Sequence, residues 1–305
     1  MLLENTELNN DISVIEEERV QGNLRDLLDS SASRALLAQE TSLPAINVNA
    51  TETLSIPTDP WTIDGGAEQW HHVGEYGLNT IPAWNDYTGD GVLVAVIDDG
   101  FNYNHSELSA NYRTDIDLDV LNGDNDALNR SSDTHGTFVS QVIAADDNGT
   151  HGAGVAFDSE ILGIRRGFGG QGSIDDTVEG FEHALAQGAD ILNNSWGITS
   201  PFGDNAKINF AGTDTSAIVD QFANLVENGR DGLGANIVFS AGNSRAQGSS
   251  ANYKNYQNSP YTITVGAINE GGTFASFSEA GSNLLVTAPG DSLRCLLYTS
   301  DAADE

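Results

Sequence analysis

The stretch "VLVAVIDDGFNYNHSELSANY", Val92 to Tyr112, decides the fold. Apolar residues run without interruption from Val92 to Ile97 into two adjacent carboxylates and a glycine, Asp98, Asp99 and Gly100. Apolar side chains at every position, with no polar alternation, predict a strand buried on both faces, as in a parallel sheet covered on two sides. Such a strand ends where its sheet ends. Polar groups at its tip then face a crevice, and crevices at the carboxyl ends of parallel strands are where α/β proteins hold their ligands. The paired acids therefore mark a site.

Outward from this stretch, further strands are predicted at Glu160–Arg165, Ile191–Asn194, Ile237–Ala241, Tyr261–Ala267 and Leu284–Ala288. Between them, His135–Ala145, Ser173–Gln187 and Thr215–Asn228 carry apolar residues at i, i+3 and i+4, the spacing of a helix with one buried face. Strands alternating with helices predict an α/β fold of three layers, a mostly parallel central sheet with helices on both faces. In the helix "HGTFVSQVIAA", the stripe Phe138, Val139, Val142 and Ile143 is expected to be the buried one.

Acids outnumber bases by 45 to 12, for a net charge of −33. This argues against nucleic acid or an anionic membrane as partner and favours solubility, cation binding or a salty medium. No apolar run approaches the ~18 residues of a membrane span, and "MLLENTELNNDISVIEEERV" lacks the basic and apolar regions of a secretory signal. Residues 1–57, acidic and polar, read as a flexible leader or linker, and residues 58–294 as the folded domain. The tail "CLLYTSDAADE", Cys295 to Glu305, back-translates to a transposon-end sequencing adapter and is read as artefactual. It contains the single cysteine, so the domain is expected to have no disulfide.

Three residue types far apart in the chain can meet in the crevice. His135 opens a helix, where the positive end of the dipole is expected to lower its pKa and keep it a neutral proton acceptor; alone, it reads equally as a capping residue. Asn243, in "VFSAGNS", follows a buried strand, where an isolated asparagine is ordinarily a turn residue. Together, Asp98, His135 and Asn243 supply an orienting carboxylate, a general base and an oxyanion donor.

With "ILNNSWG" between them, these motifs resemble the subtilase family of serine proteases, whose catalytic order is Asp, His, Ser. "DDG", "GLGANIVFSAGNS", "NYQNSPYTITVGAI", "ASFSEAGS" and "TDPWTIDGGAEQWHHVG" resemble its kexin and furin branch. The resemblance covers about Asp59 to Gly290 and implies a subtilisin-like fold, incomplete at its C-terminus. It implies that Asp98 holds the His135 tautomer, that His135 takes the nucleophile's proton and that Asn243 stabilises the tetrahedral oxyanion. Asp99 is then expected to face the substrate cleft. Ser195, Trp196 and Gly197 resemble the segment whose backbone pairs with extended polypeptide substrate, and Gly167 to Gly172 the opposing edge. The family's Gly-Thr-Ser-x-Ala-x-Pro string does not occur, and Ser300, in the adapter-like tail, is rejected as nucleophile. The chain as written is therefore expected to be inactive.

The resemblance also implies calcium. Asp119, Asp124 and Asp126 of "DLDVLNGDNDA" fall on one site of the kexin branch; by themselves they read as a solvated acidic loop without EF-hand spacing. A second site, in "DDNGTHGAGVA", takes the side chain of Asn148 and the carbonyls of Thr150 and Gly152, with carboxylates from Asp59 and Glu107. Ser200 and Lys254 stand at two acidic positions of the kexin-type primary pocket, so a preference for paired basic residues is not expected, although Asp99 and Glu179 remain. Two rival readings are a nucleotide-binding enzyme, from "GFGGQG" at Gly167 to Gly172, and a non-catalytic calcium-stabilised binding module derived from a protease. The former lacks an acid at the end of the following strand, since Asp190 precedes that strand. The expected protein is a bacterial extracellular monomer.

Overall fold

The computed structural model describes residues 57–59, 69–130, 132–168, 172–198 and 216–291. All of these fall within one compact unit, Leu54–Glu305. The leader up to residue 56 and the tail from residue 292 lie outside the described residues, as do Ser200 and the middle of the Gly167–Gly172 stretch.

Seven strands form one parallel sheet: β1 Leu93–Asp98, β2 Leu118–Asp119, β3 Glu160–Arg165, β4 Ile191–Asn194, β5 Asn236–Ser240, β6 Thr262–Ile268 and β7 Val286–Pro289. Their order is β2-β3-β1-β4-β5-β6-β7. β1 lies inside the sheet, between β3 and β4, and alternation sends its side chains to opposite faces. Val94 and Val96 pack with Phe101, Tyr112, Ala144 and Ile161 on one side. Ala95 and Ile97 pack with Leu162, Ile164, Phe181, Leu192, Phe222 and Phe239 on the other.

Two short helices, α1 Trp70–Val73 and α2 Thr80–Ala83, precede β1. Helix α3, His135–Ala144, supplies residues to the first of these cores, while α4, Ile174–Ala186, and α5, Ser216–Gly232, supply the second. The α/β class with helices on both faces follows. α4 starts with a capping box, Ser173 accepting from the Asp176 N–H while Asp176 accepts from the Ser173 N–H. α5 departs from helical geometry at Gly229 to Asp231, so its regular part stops at Asn228, where the sequence pattern ends it.

The stripe expected to be buried on α3 is only half-buried. The fully buried face carries smaller groups instead, Gly136, Thr137, Ser140, Gln141 and Ala144. They pack against β1 and β3, while Phe138, Val139, Val142 and Ile143 turn toward an open cavity. Strand β2, within the acidic loop, has no counterpart in the sequence pattern because its two residues are one leucine and one aspartate. β7 forms the far edge of the sheet, and Leu285 and Val286 stand exposed there.

Candidate active site

Strand order locates the crevice. From β1 the chain runs to β2 at the edge and back to β3 on one side, and from β3 it crosses to β4 on the other. The carboxyl ends of β1 and β4 thus flank the switch point where open α/β sheets bind ligands. Asp98 closes β1 and Ser195 follows β4.

Asp98 is fully buried, and its Oδ1 lies 2.8 Å from Nδ1 of His135 and 2.8 Å from the donating Asp99 N–H. Its Oδ2 is buried without a partner. With Nδ1–H donating to Asp98, the lone pair of the imidazole sits on Nε2, which has no partner among the described residues. The His135 side chain is 47% exposed, with Phe168 edge-on at 5.8 Å between ring centres. Such close approach depends on Gly136, where a Cβ would stand 2.6 Å from the Gly100 carbonyl and 2.9 Å from Asp98 Cβ.

Asp99 does something other than expected. Its carboxylate accepts from the backbone N–H groups of Gly136 at 2.7 Å and His135 at 3.2 Å. Thr134, the residue in the N-cap position of α3, makes no side-chain cap bond. Asp99 therefore caps α3 from just beyond the end of β1, satisfying N–H groups that a helix start leaves unpaired. It is nearly buried, and its carboxylate is committed to the helix rather than to the cleft. Burial, with the Asp98 charge added, pushes its pKa up to about 6 against the lowering effect of the Gly136 and His135 bonds.

The two acids also reverse the expectation for His135. Burial pulls its pKa down, but the Asp98 hydrogen bond and the charges of Asp98 and Asp99 outweigh this and raise it above the ordinary 6.5.

A cavity of about 390 Å³ opens beside His135, with Asn243, Ser195 and Ser240 in its walls and the apolar stripe of α3 across from β5 and β6. Asn243 is exposed, and its carboxamide has no hydrogen bond to a described residue. Ser195 Oγ accepts from Asn193 Nδ2 at 3.0 Å, and residues Ser195 to Gly197 form no backbone hydrogen bond with another described residue. The Trp196 side chain instead belongs to the core, edge-on to Phe239 and Tyr256 with the Arg166 guanidinium 4.3 Å over its ring.

Among the described residues no three His, Cys, Asp or Glu side chains form a group that could hold a metal ion. The two acidic regions nevertheless differ. Asp119 is taken by Arg165 Nη1 at 2.7 Å and by Asn122 and the Leu121 N–H, and Asp126 accepts from Tyr103 Oη at 2.8 Å; Asp124 is exposed. Arg165, itself buried, also donates to Asp133 at 3.1 Å and to the Asp99 carbonyl at 3.0 Å, tying the strand tip to the loop before α3. In the other region Asp59 Oδ2 and Glu107 Oε2 are buried without partners. Around them, Asp59 Oδ1 accepts the Gly149 N–H at 2.6 Å and Glu107 Oε1 the Thr150 hydroxyl at 3.2 Å, while Asn148 Oδ1 accepts from both the Thr150 N–H and the Thr150 hydroxyl. The sequence reading missed Arg165, although a cation at the tip of a buried strand beside acids is a signal that could have found it.

A model described as the subtilase family matches residues 89–304. Proprotein convertase subtilisin/kexin type 4 of Mus musculus is 34% identical over 77% of this chain and 35% of its own length. Furin of Homo sapiens is 32% identical over 76% of this chain and 29% of its own. The chain thus spans about a third of the length of the curated relatives it matches. Among solved structures, the serine protease of Aeromonas sobria shares the fold with a TM-score of 0.67 at 24% identity, over 79% of this chain and 44% of that one. An acid and an imidazole joined at the switch point of a parallel sheet, in a chain whose match runs through most of the described residues, have one common source: the chain belongs to the subtilase family.

Proposed function

We propose that this chain carries most of the active site of a serine endopeptidase, with Asp98 as the orienting carboxylate, His135 as general base and Asn243 as oxyanion donor. The observation that carries the reading is the 2.8 Å bond between His135 and Asp98, made by an imidazole whose other nitrogen shares a cavity with Asn243. His135 Nε2 takes the proton of a serine hydroxyl as its oxygen attacks the substrate carbonyl carbon. The same proton passes to the leaving amine as the C–N bond breaks, and water repeats the sequence to free the acid. Asn243 donates to the oxygen that becomes negative between these steps.

The nucleophile is proposed to come from a segment that is not in the chain as written, since no Gly-Thr-Ser-x-Ala-x-Pro string is present. The apolar stripe of α3 and the cavity it faces support a packed partner there. Purified residues 1–305 are expected to leave casein uncut, because losing a triad member leaves only about 10³ to 10⁴ over water. The full-length gene product is expected to cut casein and to lose that activity in His135→Ala. A full-length product that binds peptide without cutting it would instead favour the binding module.

Substrates are polypeptides without a requirement for paired basic residues. Lys254 stands where the kexin-type pocket has an acid, and Asp99 is spent on α3. Ca²⁺ is proposed between Asp59 and Glu107, with Asn148 Oδ1 and the carbonyls of Thr150 and Gly152 completing an oxygen set. Two buried carboxylate oxygens without partners support this site. An ion there would supply positive charge between the Asp59 segment and the 146–152 loop. The Asp119 region does not fit an ion in the same way, because Arg165 already occupies its carboxylate. Acidic composition and a calcium-stapled surface agree with work outside a bacterial cell.

A further inference from the structure

Lys254 is one of two lysines in the chain, and it is buried, with only 2% exposure. A lysine is almost never buried unless its charge is paired. Its Nζ lies 2.7 Å from Oε1 of Glu279, which is equally buried. The same oxygen accepts the Ser244 N–H at 3.1 Å, and Oε2 accepts from Ser249 Oγ at 2.9 Å. The Glu279 N–H in turn donates to the Gly242 carbonyl at 3.0 Å.

Residues 242 and 244 flank Asn243, so Glu279 grips the chain on both sides of the oxyanion donor, through its backbone before it and its carboxylate after it. Asn243 itself has no hydrogen bond to a described residue to hold it. The turn is made by Gly242 at φ +104°, and a Cβ there would stand 2.6 Å from Glu279 Oε1 and 2.9 Å from Lys254 Nζ. Turn, carboxylate and ammonium are thus in direct contact. Neutral donors alone leave a buried carboxylate with its charge uncompensated; Lys254 supplies the compensation from within the fold.

On the reading of the site as a serine endopeptidase, we propose that Lys254 is a positioning residue: through Glu279 it holds the Gly242–Ser244 turn so that Asn243 presents its amide to the oxyanion. A covalently fixed ammonium does this without an exchangeable ion.

The test is a double-mutant cycle in the full-length protein. Asn243→Ala alone is expected to cost about 10² to 10³ in kcat, the usual loss of one oxyanion donor. Lys254→Met is expected to lower kcat about 10- to 100-fold with KM changed less than twofold, since small misplacement of a catalytic group is enough for such a loss. In the Asn243→Ala background the same change is expected to cost less than twofold. Equal loss of kcat in both backgrounds, or no loss in either, overturns the proposal. Should Lys254→Met not fold, Lys254→Met with Glu279→Gln removes both charges, and the same split is read on it. If the wild-type protein does not cut peptides, the protease reading fails, and the side-chain amide resonance of Asn243 decides positioning instead. Lys254→Met is expected to shift and broaden that resonance; an unchanged signal in the folded variant overturns the proposal.

Discussion

Around Asp119 and around Asp59 the chain packs carboxylates out of water, and it meets their charge by different means. Asp119 has a buried arginine, with Asp133 as that arginine's second partner. Asp59 has a backbone donor on one oxygen, Glu107 has hydroxyl groups and the His151 imidazole on one of its own, and the second oxygen of each is buried without a partner. Burial, together with the charges of Asp147 and Glu107, accordingly pushes the pKa of Asp59 up to about 6, against the pull of the Gly149 bond. One region carries its cation in the sequence and the other leaves room for one from solution. Acid counting alone does not tell them apart.

The largest effect should come from the built-in cation. Arg165→Met leaves Asp119 and Asp133 buried or half-buried without their partner, and breaking such a network costs about 3 to 5 kcal/mol. Urea unfolding should record that loss with or without Ca²⁺. If added Ca²⁺ restored the stability of the variant, the Asp119 loop would be an ion site after all, and the contrast between the two regions would fail.

Chelation should come next. Ca²⁺ at a hundred times its dissociation constant adds about 2.7 kcal/mol, so EDTA should lower the melting temperature of the intact protein by several degrees. Asp59→Asn should remove most of the response to EDTA, whereas Asp124→Asn should leave it as it was. No response in the wild type removes the calcium site.

The smallest effect is on pH. A carboxyl whose folded pKa of about 6 stands above the ordinary 3.8 holds its proton more tightly when folded. The stability this contributes is fully present below pH 3.8 and is lost as pH rises through 6. In EDTA, the difference in melting temperature between wild type and Asp59→Asn should therefore move against the wild type between pH 4 and 7. With Ca²⁺ present the trend should reverse, because the ion favours the ionised form.

The sheet was legible because its strands are apolar throughout. Glu160–Arg165 and Ile191–Asn194 match β3 and β4 to the residue, and the other long strands differ by one or two positions at their ends. Among site residues, the pairing of Asp98 with His135 followed from chain order and motif. The role of Asp99 did not, because a helix cap supplied from beyond the end of β1 leaves no local pattern. Nor did the buried face of α3: hydropathy points to Phe138 and Ile143, but a helix pressed against a strand tip needs small residues on that side. Arg165, and the pairing of Lys254 with Glu279, were hidden for a shared reason. Charged residues read as surface until a fold supplies their partners, and both partners lie far away in the sequence.

The cap that Asp99 provides has a mechanical side. Asp98 ends β1 and Asp99 follows it directly; the first grips the imidazole of His135 and the second the backbone beneath it. The strand end is thus joined to α3 at two points, through the ring and through the backbone, so any shift of the tip of β1 relative to the helix has to stretch both sets of bonds.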